Sequence, residues 1–299
     1  MSLSLLIAVA LSLATPAAAD TPPAPAPAPE AEVALERWRS RWVLTAEIAG
    51  KPRKYLFDTA AGLTLVHPDT AKAAGCAPWG RMTGYRMMGD RHDAPRCNGL
   101  PMTIGGLTLT PAVSGLIDMA KLNPADAELD GVIGLNLFEG RAVTIDFAAG
   151  RLTVESPASL AARIATMRPL SVRQSREVGG LALAVLAEVP TAKGPLWMEL
   201  DSGNGGTVLV SKPMAALVGL DPANEGRQAA DFVVTGDVRA TTDAAFAPDM
   251  IIDGNLGMPF LRNWVVTFDL AHGRAWLGKP PVGPAPAPPL PPPPASAQR

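Results

Sequence analysis

One stretch of this chain is written twice. Residues 130–152, DGVIGLNLFEGRAVTIDFAAGRL, align with residues 253–275, DGNLGMPFLRNWVVTFDLAHGRA, at a constant offset of 123, and nine of the twenty-three positions are identical. Ordinary residue usage would give about one or two. Upstream of each copy a second pair matches. YLFDTAAGLTLVHP (55–68) and LWMELDSGNGGTVLVSKP (196–213) both read apolar strand, Asp, Thr or Ser, small residues, apolar strand. The order Asp-loop, variable middle, DGxxG, TxDxAxGR therefore occurs twice, and the chain is a duplicated module.

Between a Pro/Ala stretch at 21–30 and a Pro-rich tail at 280–299, the text is that of a β-protein. WVLTAEIAG, KYLFD, RAVTIDF, RLTVES, LALAVLAEV, LWMELD, DFVVTG and WVVTFDL are short runs with β-branched or aromatic residues, punctuated by Gly, Pro, Asn and Asp. IDFAAGRLTV and FDLAHGRAWL each read as a hairpin with a tight Gly-containing turn. Short helices are expected at Asp69–Ala74, at Lys212–Val218 and after Gly134 and Gly257; long amphipathic ones are absent.

The 299 residues are 47% hydrophobic and 18% charged, enough for a sizeable core. A formal net charge of −2 without a run of Lys or Arg argues against nucleic-acid binding and against an electrostatic membrane anchor. Residues 1–19 are uncharged, mostly apolar and end in Ala17-Ala18-Ala19. They read as a signal peptide cut near Asp20, so that no stable membrane insertion follows; an uncleaved anchor is the competing reading, since the segment lacks Lys and Arg. The product would be exported, periplasmic or secreted. Cys76 and Cys97 are the only cysteines, and in an exported chain they suggest a disulfide, with two buried thiols as the alternative. Two cysteines without a paired histidine nearby cannot complete a zinc site, so no metal and no cofactor is expected. The Pro-rich tail is a spacer or a ligand for a partner domain.

Asp58 follows Tyr55-Leu56-Phe57, and Asp201 follows Trp197-Met198-Glu199-Leu200. An acid at the end of a buried strand is unfavourable unless it is hydrogen-bonded or shares a proton. A hydroxyl residue comes next each time, Thr59 or Ser202, able to brace the loop. Small residues follow, Ala60-Ala61-Gly62 and Gly203-Asn204-Gly205-Gly206, and leave room for close backbone approach. A single such loop is ordinarily just a capped turn. In a duplicated fold, a pseudo-two-fold axis could bring the two carboxylates face to face.

Asp58-Thr59-Ala60 and Asp201-Ser202-Gly203 resemble the Asp-Thr/Ser-Gly signature of pepsin-like and retropepsin-like aspartic proteases. Val132-Ile133-Gly134 and Asn255-Leu256-Gly257 resemble the family's second element, the strand ending in Gly that supports each Asp-loop. The resemblance covers roughly residues 40–280 in order and looks most like bacterial exported proteins with two fused retropepsin-type lobes. It implies an all-β chain of two pseudo-symmetric β-barrel lobes. The expected divisions are signal peptide 1–19, linker 20–36, first lobe 37–158, connection 159–178, second lobe 179–281 and tail 282–299. It further implies an aspartic endopeptidase acting on peptides or proteins, with Asp58 and Asp201 activating a water, Thr59 and Ser202 bracing the loops, and Ala60 and Gly203 meeting substrate. A hairpin flap is implied in each lobe, within Arg81–Arg91 with Tyr85 near its tip and within Asp231–Thr242; an ordinary surface hairpin is the alternative for both. A Cys76–Cys97 bond would tie the base of the first hairpin.

Two departures from the pattern matter. Ala60 stands where the family has Gly, and Asn204 with two following glycines is an unusual stretch that reads as a mobile loop. The rival reading is a catalytically weak or silent peptide-binding module on the same fold; a weaker one is a structural envelope protein tethered by its Pro-rich ends. No GxSxG elbow is present, and GNGG at 203–206 lacks the rest of a phosphate loop. Asp130 and Asp253 read as starts of Asp-Gly turns, and Asp146 and Asp269 as cross-hairpin partners of Arg151 and Arg274.

Overall fold

The computed structural model describes residues 26–281. The expected signal segment 1–19 and the expected tail 282–299 lie outside them. Strands dominate, and among the described residues the α-helices are four and short.

Three sheets divide the chain. The first lobe is a ten-stranded sheet and the second a seven-stranded one. Between them, a six-stranded sheet runs in the order Ala31–Ala34, Arg151–Glu155, Ala142–Asp146, Val265–Asp269, Arg274–Gly278, Arg168–Leu170. Both expected hairpins form here, with Thr144 opposite Thr153 and Thr267 opposite Trp276. The two hairpins join through their first strands, where Thr144 pairs with Thr267 and their hydroxyls lie 2.8 Å apart in the core. These residues are separated by 123 positions, the offset of the repeat. A residue that pairs antiparallel with its own repeat copy lies on a two-fold axis, so the duplication is a spatial symmetry of the molecule.

Each lobe repeats one threading pattern. Gly131–Ile133 runs parallel to Lys51–Phe57 and antiparallel to Leu65–Val66. Gly254–Leu256 likewise lies between Leu196–Leu200 and Val208–Val210. The inserted strand receives the amide of the aspartate at the end of its parallel neighbour: Asp58 N–H donates to Ile133 O (3.0 Å) and Asp201 N–H to Leu256 O (3.1 Å). The glycine repeated in both DG pairs follows from this crowding. A Cβ on Gly131 would come within 2.0 Å of Leu65 O, and one on Gly254 within 2.8 Å of Leu209 O.

The Asp-Gly pairs are therefore strand entries, not turns, and their aspartates bind distant groups. Asp130 accepts from Tyr55 Oη (2.9 Å), Thr70 Oγ1 (2.9 Å) and Arg53 (3.2 Å), while Asp253 accepts from Trp197 N–H (2.9 Å). Asp269 pairs with Arg274 at 2.6 Å as expected. Asp146 does not bond Arg151: it accepts from Ala149 N–H, and Arg151 reaches Glu32 at 3.6 Å. Ala31–Ala34 pairs beside Arg151 and places Glu32 diagonally opposite on the same face.

That strand also corrects the linker. Within 20–36, Ala31, Val33 and Leu35 alternate inward and are 5–6% exposed, so the segment enters the core. Across the expected boundary between the first lobe and the connection, Pro157–Ile164 is a helix with a Ser156/Ser159 capping box, and within the connection Arg168–Leu170 and Val172–Ser175 are strands. Of the expected helices, Pro68–Ala73 and Met258–Leu261 form, while Leu135–Phe138 and Ala215–Val218 are 3-10 turns.

Candidate active site

The two aspartate loops meet on the symmetry axis and are locked by four reciprocal hydrogen bonds. Thr59 N–H donates to Ser202 Oγ (3.1 Å) and Ser202 N–H to Thr59 Oγ1 (3.0 Å). The same hydroxyls donate onward across the axis, Thr59 Oγ1 to Leu200 O and Ser202 Oγ to Phe57 O (3.0 Å). Both side chains are fully buried, so each hydroxyl uses its donor and an acceptor on the opposite lobe. This clamp fixes the position of Asp58 relative to Asp201.

The two carboxyls face each other at the floor of a cleft of about 440 Å³ between the lobes. Their closeness is visible in Gly203, where a Cβ would sit 2.4 Å from Asp58 Oδ2. Glycine at 203 is thus required by the opposing acid. Ala60, its counterpart in the first loop, also lines the cleft and carries a methyl group there.

The acids are solvated unequally. Asp58 Oδ1 accepts from Ala60 N–H at 2.9 Å. Asp201 Oδ1 accepts from Gly203 N–H (2.7 Å) and Asn204 N–H (3.0 Å), and its Oδ2 accepts from Asn255 Nδ2 (2.7 Å). Burial, then the charge of Asp201, push Asp58 up to about 8. Burial also raises Asp201, but the side chain of Asn255 and the amides of Asn204 and Gly203 oppose it. The donors therefore favour the charge on Asp201 and the shared proton on Asp58.

Asn204 is not in a loose loop. Its amide donates to Thr207 O (3.1 Å) and Asn255 Oδ1 (2.8 Å), and its Oδ1 accepts from Thr207 N–H and Oγ1. It holds Asn255, which in turn holds Asp201. Sequence reading quoted Asn255 as part of a supporting strand without seeing that its side chain reaches the acid. That reading gave no role to Glu199, whose carboxyl also lines the cleft two residues before Asp201. Burial, with Asp201, Asp58 and Glu177 nearby, raises Glu199 to about 8. Strand alternation two residues before Asp201 is a signal that could have found it.

Over the cleft stands the hairpin Arg81–Tyr85/Arg91–Asn98, which carries Tyr85 into the cavity lining while leaving it 57% exposed. Its tip reaches the second lobe, where Ile251 N–H donates to Met87 O at 3.0 Å. Cys76 and Cys97 form a disulfide that fastens the second hairpin strand to the end of helix Pro68–Ala73, away from the cleft. The other suggested flap, part of the hairpin Gln228–Thr235/Val238–Phe246, contributes no residue to the cleft lining.

No family model and no curated protein matches this sequence. Solved structures do. Basic 7S globulin from soybean superposes with a TM-score of 0.53 at 10% identity, covering 83% of this chain and 93% of that one. EDGP superposes with a TM-score of 0.54 at 10% identity, covering 83% and 94%. The fold is pepsin-like. At such identity the likeness speaks to the fold alone, and the chemistry rests on this chain's own residues.

Proposed function

We propose that this protein is an aspartic-type endopeptidase whose catalytic residues are Asp58 and Asp201. The observation that carries the reading is the Thr59–Ser202 clamp, which holds the buried Asp201 and the half-buried Asp58 carboxyls face to face at the base of an open cleft. In this mechanism the Asp201 carboxylate takes a proton from a water lying between the two acids. The water oxygen attacks the scissile carbonyl carbon, and Asp58 gives its proton to the carbonyl oxygen. The tetrahedral diol then collapses: the C–N bond breaks, the amine nitrogen gains a proton, and the dyad is left sharing one. The Tyr85 hairpin closes over the bound peptide. Leader-like residues 1–19 and the Cys76–Cys97 disulfide support an exported protein in an oxidising compartment.

Ala60 supports a second reading, a peptide-binding module that does not hydrolyse, because its methyl group occupies the floor where the opposite loop has hydrogen. One experiment separates them. A diverse peptide mixture is incubated between about pH 3 and pH 7 with the wild type, Asp58→Asn and Asp201→Asn. Cleavage by wild type alone is expected, each variant losing at least about a thousandfold in kcat/KM. Folded wild type that cleaves nothing, but gains cleavage in Ala60→Gly, would establish the binding module.

A further inference from the structure

The dyad sits on a two-fold axis, but the cleft around it is not symmetric. Residues two positions before each aspartate share its face of the strand. In the first lobe that residue is Leu56, 5% exposed and packed with Ile117, Met119 and Val132. In the second lobe it is Glu199, half-buried and lining the same cleft. A peptide bond centred on the axis has one flanking side chain toward each position. One flank therefore meets an apolar wall and the other a carboxyl group.

Glu199 lacks a cation. Among the described residues no Lys, Arg or His comes within ion-pair distance of it, although fifteen such pairs form elsewhere. The charges that act on it are acids, Asp201, Asp58 and the exposed Glu177 at the cleft edge, while Asn255 hydrogen-bonds its side chain. Arg173, two strands away in the same sheet, stacks on the Trp197 ring at 4.5 Å. Basic groups in the lining, Arg41, Arg86 and His92, belong to the first lobe, and Arg41 is already held by Asp126 at 2.6 Å. A half-buried acid beside other acids, without a cation of its own, is unfavourable when ionised and is relieved by an incoming positive charge.

We infer that Glu199 determines specificity: it receives a lysine or arginine side chain on one flank of the scissile bond, opposite an apolar side chain received at Leu56. The inference rests on the peptidase reading for its substrate class. An incoming ammonium or guanidinium group favours release of the Glu199 proton, and its N–H groups then donate to the carboxylate so formed, while the wall formed by Leu56 takes the apolar partner. Ion pairing inside the cleft, next to the dyad, sets which bond is centred between the acids.

The test compares two peptides identical except that the flanking residue is lysine in one and norleucine in the other, each assayed in both register orders around an apolar residue. Wild type is expected to favour the lysine peptide by about tenfold or more in kcat/KM, the scale of one charge-assisted contact. In Glu199→Gln and Glu199→Leu that ratio should fall to near one, or below one for the leucine variant. Using a ratio within each protein cancels any loss of folded enzyme. An unchanged ratio in both variants, or a wild-type preference for norleucine, overturns the assignment. If wild type cleaves neither peptide, fluorescence anisotropy of the same labelled peptides decides: a lysine preference in Kd that Glu199→Gln abolishes upholds the subsite while the peptidase reading fails. Equal Kd values reject it.

Discussion

Thr59 and Ser202 are small polar residues that the sequence offers only as neighbours of aspartates, yet they carry the junction between the lobes. Each hydroxyl satisfies a carbonyl and an amide of the opposite loop in a site without water access. Thr59→Ala removes one hydroxyl and orphans the amide of Ser202 and the carbonyl of Leu200 together. An unsatisfied buried group costs about 1–3 kcal/mol, so this variant should lose about 2–4 kcal/mol by urea denaturation. Thr59→Ser keeps the hydroxyl and should lose far less. Equal losses in the two variants would mean that the hydroxyl is not what holds the lobes. At this scale the paired aspartates and hydroxyl residues were legible because the duplication repeats them. Asn255 and Glu199 were not, because each occurs in one lobe only. Their roles depend on which face of a strand meets the cleft, and that is fixed by tertiary packing.

Among the elements, the hairpins Ala142–Asp146/Arg151–Glu155 and Val265–Asp269/Arg274–Gly278 were plain in the text, since alternation and a glycine turn are local signals. The threaded strands Gly131–Ile133 and Gly254–Leu256 were legible only through the family resemblance, not through a local pattern. Three residues are too few to show a period, and their partners lie far away in the sequence. Pro157–Ile164 escaped notice for a different reason: its capping box uses Ser159 where a Glu or Gln is the usual mark. The Cys76–Cys97 bond joins elements that only tertiary structure brings together, the end of helix Pro68–Ala73 and the outer cleft hairpin, across 21 residues of chain. Closing a loop of that length is worth roughly 3 kcal/mol in chain entropy. The double variant Cys76→Ser/Cys97→Ser should therefore unfold about 3 kcal/mol more easily and be nicked faster within 81–91 by an added protease, while the dyad geometry stays in place. Unchanged stability in the double variant would show that packing alone seats the hairpin.

For the molecule as a whole, the Thr144–Thr267 pair makes the repeat offset a symmetry axis, and the acids gathered on that axis tie stability to pH. In the unfolded chain Asp58 and Glu199 ionise near 3.8 and 4.5; in the folded protein burial raises both to about 8, and Asp201 is raised as well. Between these limits the folded state keeps protons that the unfolded chain has released. Folding takes up protons, so raising the pH from about 4 to about 8 favours unfolding. Asp126 and Asp269 are held below the usual carboxylate range, against their own burial, by hydrogen bonds from Arg41 and Trp38 and from Arg274 and His272. Their contribution is complete above 3.8 and is lost only in stronger acid. The melting temperature should thus peak near pH 4 and fall steadily toward pH 8 at constant ionic strength. Glu199→Gln, which removes one raised carboxyl, should flatten that fall, and Asp58→Asn should flatten it further. A melting temperature that rises between pH 4 and pH 8, or a slope indifferent to both substitutions, would mean that the carboxyls do not gather as a buried, proton-sharing group in solution.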